Sequence, residues 1–274
     1  VGDELMQREY SGLLVENYKV AEDCHLFTIE SRDLKDAEPG QFIHVLPRAG
    51  HQVPVSSDPL LRRPISIYDI DEEQKTLKIL FRVVGRGTKA LSMLSPGELI
   101  DFLGPIGRGF ELPTTGGCEL ALVGGGIGLA PLFLLARRLI QAGHRVRAFF
   151  GFRSQADCID VGPFSEIGCA VEVFTEDGSL GVQGFPTQGL VEALPGLDGV
   201  YACGPVGMLA AVARFARDLP CQVSMEERMG CGVGACLACA CKVKGQKGYV
   251  RVCVDGPVFN AAEIDFDHLL GKQR

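Results

Sequence analysis

Cys231, Cys236 and Cys239 stand as C-x4-C-x2-C, and Cys253 follows after thirteen intervening residues. Nothing else in the chain limits its architecture so strongly. Three thiols in one tight bend, with a fourth returning later, is the plant-type ligand spacing for a [2Fe–2S] cluster. The loop must then wrap a small inorganic core. Gly230, Gly232, Gly234 and Ala235 keep bulk out of it and allow unusual backbone angles. The amide N–H groups of such a loop can point at sulfur and form an anion-holding concavity.

Two other assignments compete. Structural zinc sites with four cysteines usually pair two C-x2-C arms across a longer loop; here one arm is C-x4-C and one cysteine stands alone. Disulfides are the second. The chain has eleven cysteines, an odd number, five of them within the twenty-three residues 231–253. The other six, Cys24, Cys118, Cys158, Cys169, Cys203 and Cys221, are scattered in mostly apolar contexts and read as small buried hydrophobes. Cys241 is a fifth thiol beside the run, so counting alone does not fix which four are ligands.

A net charge of −7 argues against a nucleic-acid or anionic-membrane partner, which would need a basic face. The start, VGDELMQREY, is too polar for a secretory leader. The most apolar stretch, residues 127–136, is ten long, against roughly 18 needed to cross a bilayer. The expected compartment is the reducing cytoplasm.

Residues 10–18, 24–30, 41–46, 63–68, 76–84 and 99–103 read as six short strands between turn signals. That spacing suggests an antiparallel barrel or a sandwich. A helix is expected over 88–94. Within the unit, Arg63-Pro64-Ile65-Ser66 places a guanidinium and a hydroxyl three apart, able to hold a flavin pyrophosphate and ring edge. Gly85-Arg86-Gly87-Thr88 opens the helix as a phosphate seat. Read singly, each is more readily an ordinary strand entry (RPIS) or N-cap turn (GRGT); their order and separation are what raise the pair to a flavin site.

From Cys118 the pattern changes. A mostly apolar strand over 119–123 runs into Gly124-Gly125-Gly126-Ile127-Gly128. A helix over 130–142, with Pro131 in its first turn, and a strand over 145–150 follow. This is the β–glycine loop–α–β unit that seats a dinucleotide pyrophosphate, although the loop departs from G-x-G-x-x-G. Further strands are expected over 170–175 and 199–203, and helices over 189–194 and 206–217. Cys203-Gly204-Pro205 closes the last strand at the carboxyl edge, where open α/β sheets place ligands. Cys203 is therefore expected as a ligand-facing thiol near a nicotinamide. Arg153 could meet a 2′-phosphate, which leaves NAD or NADP open. Five histidines, His25, His44, His51, His144 and His268, form no motif and read as structural or surface residues. A strand over 249–254 is expected to carry Cys253, and a short helix to end the chain.

The motifs RPIS at 63–66, GRGT at 85–88, GGGIGLAP at 124–131 and CGP at 203–205 resemble the ferredoxin–NADP reductase superfamily. EERMGCGVGACLACAC at 226–241 and VCVDGPVF at 252–259 narrow the resemblance to the electron-transfer subunits of class 1B dihydroorotate dehydrogenases. The resemblance covers nearly the whole chain. It implies an antiparallel β-barrel flavin domain over 1–113, a doubly wound α/β nucleotide domain over 114–221 and a small [2Fe–2S] module over 222–274. It implies FAD contacts at Arg63, Pro64, Ile65, Ser66, Leu80, Phe81, Arg82, Gly87 and Thr88. NAD(H) would sit on Gly124, Gly125, Gly126, Gly128, Pro131, Gly204 and Pro205. Cluster ligands would be Cys231, Cys236, Cys239 and Cys253, with no ligand role for Cys241. The implied partner is an FMN-containing catalytic subunit, two of each chain forming a heterotetramer. Subunits of electron-bifurcating NADH-dependent ferredoxin:NADP oxidoreductases share the pattern but carry Asp at the first cluster cysteine. Residue 231 is cysteine here.

Overall fold

Six strands close a barrel: β1 (Glu9–Ala21), β2 (Cys24–Glu30), β3 (Phe42–Ala49), β4 (Arg63–Asp71), β5 (Thr76–Arg82) and β6 (Leu99–Ile106). The structure, a computed structural model, describes residues 9–31, 37–49, 59–245 and 248–272. His51 and most of the polar start of the chain lie outside them. The barrel order is β1-β2-β5-β4-β3-β6 with antiparallel pairing throughout, which decides for a barrel over a sandwich. Strand alternation drives closure. Along β6, Ile100, Phe102, Gly104 and Ile106 are buried while their neighbours are half-exposed. Ile43, Ile67, Phe81 and Phe102 fill the interior. A short helix, α1 (Arg86–Ser92), follows β5 and begins two residues earlier than the expected 88.

The next unit runs β7 (Glu119–Gly125), α2 (Ala130–Gln141), β8 (Arg145–Phe152), α3 (Gly162–Glu166), β9 (Ala170–Thr175), β10 (Val182–Gln183), α4 (Pro186–Ala193), β11 (Gly199–Cys203), α5 (Val206–Phe215) and β12 (Cys221–Ser224). The last stretch holds β13 (Ala240–Lys242), β14 (Tyr249–Arg251), α6 (Val252–Asp255), β15 (Val258–Asn260) and α7 (Phe266–Gly271). The sheet order is β10-β9-β8-β7-β11-β12-β15. Strand order reverses about β7, with β8 on one side and β11 on the other. Ligands bind at such switch points in open α/β sheets.

Two boundaries differ from the sequence expectation. A division at 221/222 falls inside β12, and β15 adds an antiparallel edge to the nucleotide sheet. The cluster segment is thus stitched to the sheet rather than hung beside it. The strand expected over 249–254 ends at Arg251. Asp255 takes the Arg251 N–H at 2.8 Å and turns the chain into α6, so Cys253 sits on a helical turn.

Barrel and nucleotide unit are keyed together through α2. Tyr68 stacks on Phe133 with centroids 4.5 Å apart. Arg137 pairs with Asp69 at 2.8 Å and donates to the Ile70 carbonyl at 2.5 Å. Burial pushes the Asp69 carboxyl up, against the pull of the Arg137 charge. Among the described residues no helix is long and apolar enough to cross a membrane.

Candidate functional site

The cluster loop brings the four expected cysteines together as two pairs. Cys231 Sγ accepts from Val233 N at 3.4 Å and Cys236 N at 3.3 Å, while Cys236 Sγ accepts from Cys231 N at 3.4 Å. Cys239 Sγ lies 3.2 Å from Cys253 Sγ. Among the described residues no three such donors converge to hold a single ion. One tetrahedral zinc needs four thiolates around one point; two thiol pairs suit two irons. All eleven cysteines are free. The residues present therefore fit a binuclear cluster. Cys241, on β13, is buried in the core and forms neither pair.

The pairs differ in surroundings. Cys236 is exposed and Cys231 half-exposed, whereas Cys239 and Cys253 are buried. Burial pushes the Cys231 thiol up, but the N–H groups of Val233, Cys236 and Ala235 and the Cys236 thiol outweigh it and bring it down to about 7. Cys253 is pushed up to about 12 by burial and by the Cys239 thiol. Arg251 braces the loop, donating to the Gly234 carbonyl at 3.2 Å while ion-paired to Asp255. Leu237, between two of the ligands, holds φ at 58°. That left-handed conformation is costly for a branched residue and lets the bend close.

On the barrel, the structure unites two motifs that sequence left separate. A Cβ on Gly87 would overlap the Arg63 guanidinium, so Arg63 lies directly over the GRGT turn. Val84 beside it is 80% exposed and Leu61 53% exposed. A guanidinium flanked by open apolar surface fits a flavin's pyrophosphate and ring system. Pro64 and Ser66 are half-buried on β4. Ile65 and Phe81 point into the barrel core, and Leu80 into the interface with the nucleotide unit, so these three can offer a flavin only main-chain groups. The Thr88 hydroxyl accepts from Val84 N at 2.9 Å and Gly85 N at 3.2 Å; it caps its own turn.

Beyond Arg82 opens a cavity of about 780 Å³. Its walls come from the turns after β7, β8 and β11, including Gly125, Gly126, Gly128, Gly204 and Pro205. The two glycine-bearing turns touch. A Cβ on Gly125 would come 2.6 Å from Pro205 Cδ, and one on Gly128 would overlap the Cys203 carbonyl. Gly124 packs instead on Phe150. Pro131 is buried in the first turn of α2, outside the lining.

Cys203 is corrected here. As the last residue of β11, in register with Gly124 and Ser224, its side chain is wholly buried below the cavity floor. Burial raises its thiol well above the ordinary range, followed by the Glu226 charge, so it stays protonated. Its main-chain carbonyl, not its sulfur, meets the glycine loop. Sequence reading passed over Glu226, which follows β12 by two residues and opens onto the cavity. Desolvation beside the cavity pushes its carboxyl up, although the side chain keeps solvent-exposed surface. Arg153 pairs with Asp157 at 2.5 Å, and Glu176 lines the same rim.

Comparison with known proteins agrees with this geometry. The family model for the iron–sulfur cluster binding domain of dihydroorotate dehydrogenase B matches residues 226–265. The electron transfer subunit of dihydroorotate dehydrogenase B (NAD(+)) from Shouchella clausii is 43% identical over 255 residues, 92% of this chain and 96% of that protein. The chain belongs to this family of electron transfer subunits. A Bacillus caldolyticus member is 42% identical over 89% of this chain and 94% of its own length. Among solved structures, that of an NADH-dependent reduced ferredoxin-NADP oxidoreductase, studied for flavin-based electron bifurcation, superposes with a TM-score of 0.81. It is 32% identical, covering 99% of this chain and 94% of that one. The Amycolatopsis cytochrome P450 reductase GcoB gives 0.65 at 28% identity, over 79% of this chain and 69% of its own. The ferredoxin reductase-like architecture, an oxidoreductase with FAD, NAD(H) and a [2Fe–2S] cluster, is what membership in the family brings.

Proposed function

We propose that this chain passes electrons between NADH and the catalytic subunit of a dihydroorotate dehydrogenase, serving oxidation of dihydroorotate to orotate. The single observation that carries the reading is the paired arrangement of Cys231/Cys236 and Cys239/Cys253 within the matched cluster domain. When bound, FAD supplies the one carrier able to take a hydride and release electrons singly, and the cluster stores one electron. Arg63, packed against Gly87 and flanked by Pro64, Ser66 and the main chain of Ile65, Leu80 and Phe81, would hold the flavin. Thr88 keeps that turn closed. Arg82 stands where the barrel faces the cavity and would contact a bound flavin or nicotinamide there. Gly125, Gly126 and Gly128, with Gly204 and Pro205, would let the pyrophosphate approach main chain; Gly124, packed on Phe150, together with Cys203 and Pro131, holds the shape of those turns. The exposed Cys231/Cys236 edge faces a partner, and the buried Cys239/Cys253 edge faces inward. The partner is an FMN-containing subunit in a two-plus-two heterotetramer in the cytoplasm.

The cavity rim also favours NADH over NADPH. A 2′-phosphate at the end of β8 would meet Arg153 already paired with Asp157, with Glu176 beside it. Replacing Asp157 by Asn together with Glu176 by Gln frees the guanidinium. The ratio of kcat/KM for NADPH to that for NADH should rise roughly tenfold, on the order of the attraction between surface charges. Steady-state dye reduction with each nucleotide measures it, and an unchanged ratio would remove these residues from selection.

The test of the function is reconstitution. The purified chain should show flavin and iron–sulfur absorption and reduce dyes with NADH, yet leave dihydroorotate untouched. Adding the FMN subunit should link dihydroorotate oxidation to NAD(+) reduction. Co-purification with a large FAD/[4Fe–4S] subunit would support a bifurcating assembly instead.

A further inference from the structure

His44 lies on β3, opposite Pro64 of β4 and Leu103 of β6. Its neighbours Ile43 and Val45 fill the barrel core. Alternation sends the His44 ring the other way, toward the cluster loop. It is 1% exposed; the main-chain groups of Arg62 and Cys231 bear on the ring, but neither ring nitrogen makes a hydrogen bond of good geometry among the described residues. Gly232 covers the ring. A Cβ there would overlap Nδ1 and come 2.9 Å from Cε1. With φ at +70°, Gly232 joins the ligand Cys231 to Val233, whose N–H donates to Cys231 Sγ.

An imidazole in a dry contact is a poor choice for packing alone. One of its nitrogens always carries a proton, and burying an unpaired donor costs about 1–3 kcal/mol. Leucine would fill the space without that penalty. The acceptors within reach of the ring are the main-chain carbonyls of Arg62, on the barrel side, and of Cys231, on the loop side, together with the sulfur that the loop encloses.

We propose that His44 is the barrel's hydrogen-bond donor to the Cys231 side of the cluster site, a positioning residue that helps set the cluster's reduction potential. A donor directed at cluster sulfur favours the reduced, more negative form and raises the potential. The inference rests on the four-cysteine reading above. It would also make β3, adjacent to the flavin-binding β4, the mechanical link between the two redox sites.

The experiment uses the holoprotein. With ¹⁵N-histidine labelling, pulsed EPR of the reduced cluster should show a weak ¹⁵N coupling that disappears in the His44→Asn variant. In an EPR-monitored redox titration, His44→Leu should lower the midpoint by about tenfold in the equilibrium, near 59 mV for one electron. His44→Asn places an amide nitrogen where Nδ1 stood and should recover much of the shift, whereas His44→Gln, which mimics Nε2, should not. A labelled wild-type spectrum without histidine coupling, or leucine and asparagine midpoints equal to wild type, would overturn the proposal. The labelled wild-type measurement stands even if the leucine variant does not assemble. Absence of iron from the wild-type protein would instead sink the cluster reading itself.

Discussion

Replacing Cys253 with alanine should remove the iron–sulfur absorption and cut electron delivery to the partner subunit by well over the ~10–100-fold typical of second-shell changes. NADH-driven dye reduction should persist. The asymmetry follows from where the residue sits. Cys253 Sγ faces Cys239 at 3.2 Å, so its loss leaves one of the two pairs with a single thiol. The helical turn that carries it is held independently. Asp255 takes the Arg251 main-chain N–H at 2.8 Å and pairs with its guanidinium, and Arg251 reaches Gly234. The fold around the missing sulfur should therefore survive, and with it the flavin and nucleotide sites more than one element away. Iron and sulfide content, the visible spectrum and the two activities measured side by side check this. Cys241→Ala is the matched control: an equally buried thiol twelve positions earlier, in neither pair, whose removal should keep iron content and partner-directed activity. Equal loss of cluster in both variants would show that the loop tolerates no change at all and that pairing does not define the ligands.

What could be read in the sequence is what is local. The C-x4-C-x2-C bend, the glycine turn after residues 119–123 and the short strand over residues 24–30 each act within a few residues, and each is found where expected. Arg63 and Gly87 were both named as flavin residues, yet their direct contact depends on β4 and β5 pairing and could not be read from spacing. The same holds for His44 under Gly232, 188 positions apart in the sequence. Cys203 was misplaced because its position at a strand end says which edge of the sheet it occupies but not which face its side chain takes. That face is set by register with Gly124 and Ser224. The strand expected through Cys253 failed for a local reason that was visible: Asp255 competes for the Arg251 N–H. β15 was hidden because three residues carry too little pattern to announce a long-range pairing with β12.

Gly128→Val should nearly abolish reduction of the flavin by NADH while FAD and iron content stay at wild-type levels. The obstacle is main chain against main chain. A Cβ at this position would overlap the Cys203 carbonyl and come 2.6 Å from its carbon and 2.8 Å from Gly204 N. No side chain can swing aside, so the turn after β7 must separate from the turn after β11. Gly128 has no left-handed backbone angle, so the effect is steric rather than conformational. Overpacking of this kind costs about 1–3 kcal/mol, which the domain can absorb. The functional loss should be larger, because both displaced turns line the cavity proposed to receive the nicotinamide. A displacement of about 1 Å at such a site lowers rate on the order of 100-fold. Stopped-flow flavin bleaching by NADH should slow by that factor or more, with dithionite reduction unchanged. Gly196→Ala provides the contrast: a Cβ there meets nothing within 4 Å, and both stability and rate should stay near wild type. If Gly128→Val bleached as fast as wild type, the contact between the two turns would not position the nucleotide, and the cavity would have to bind NADH by its outer rim.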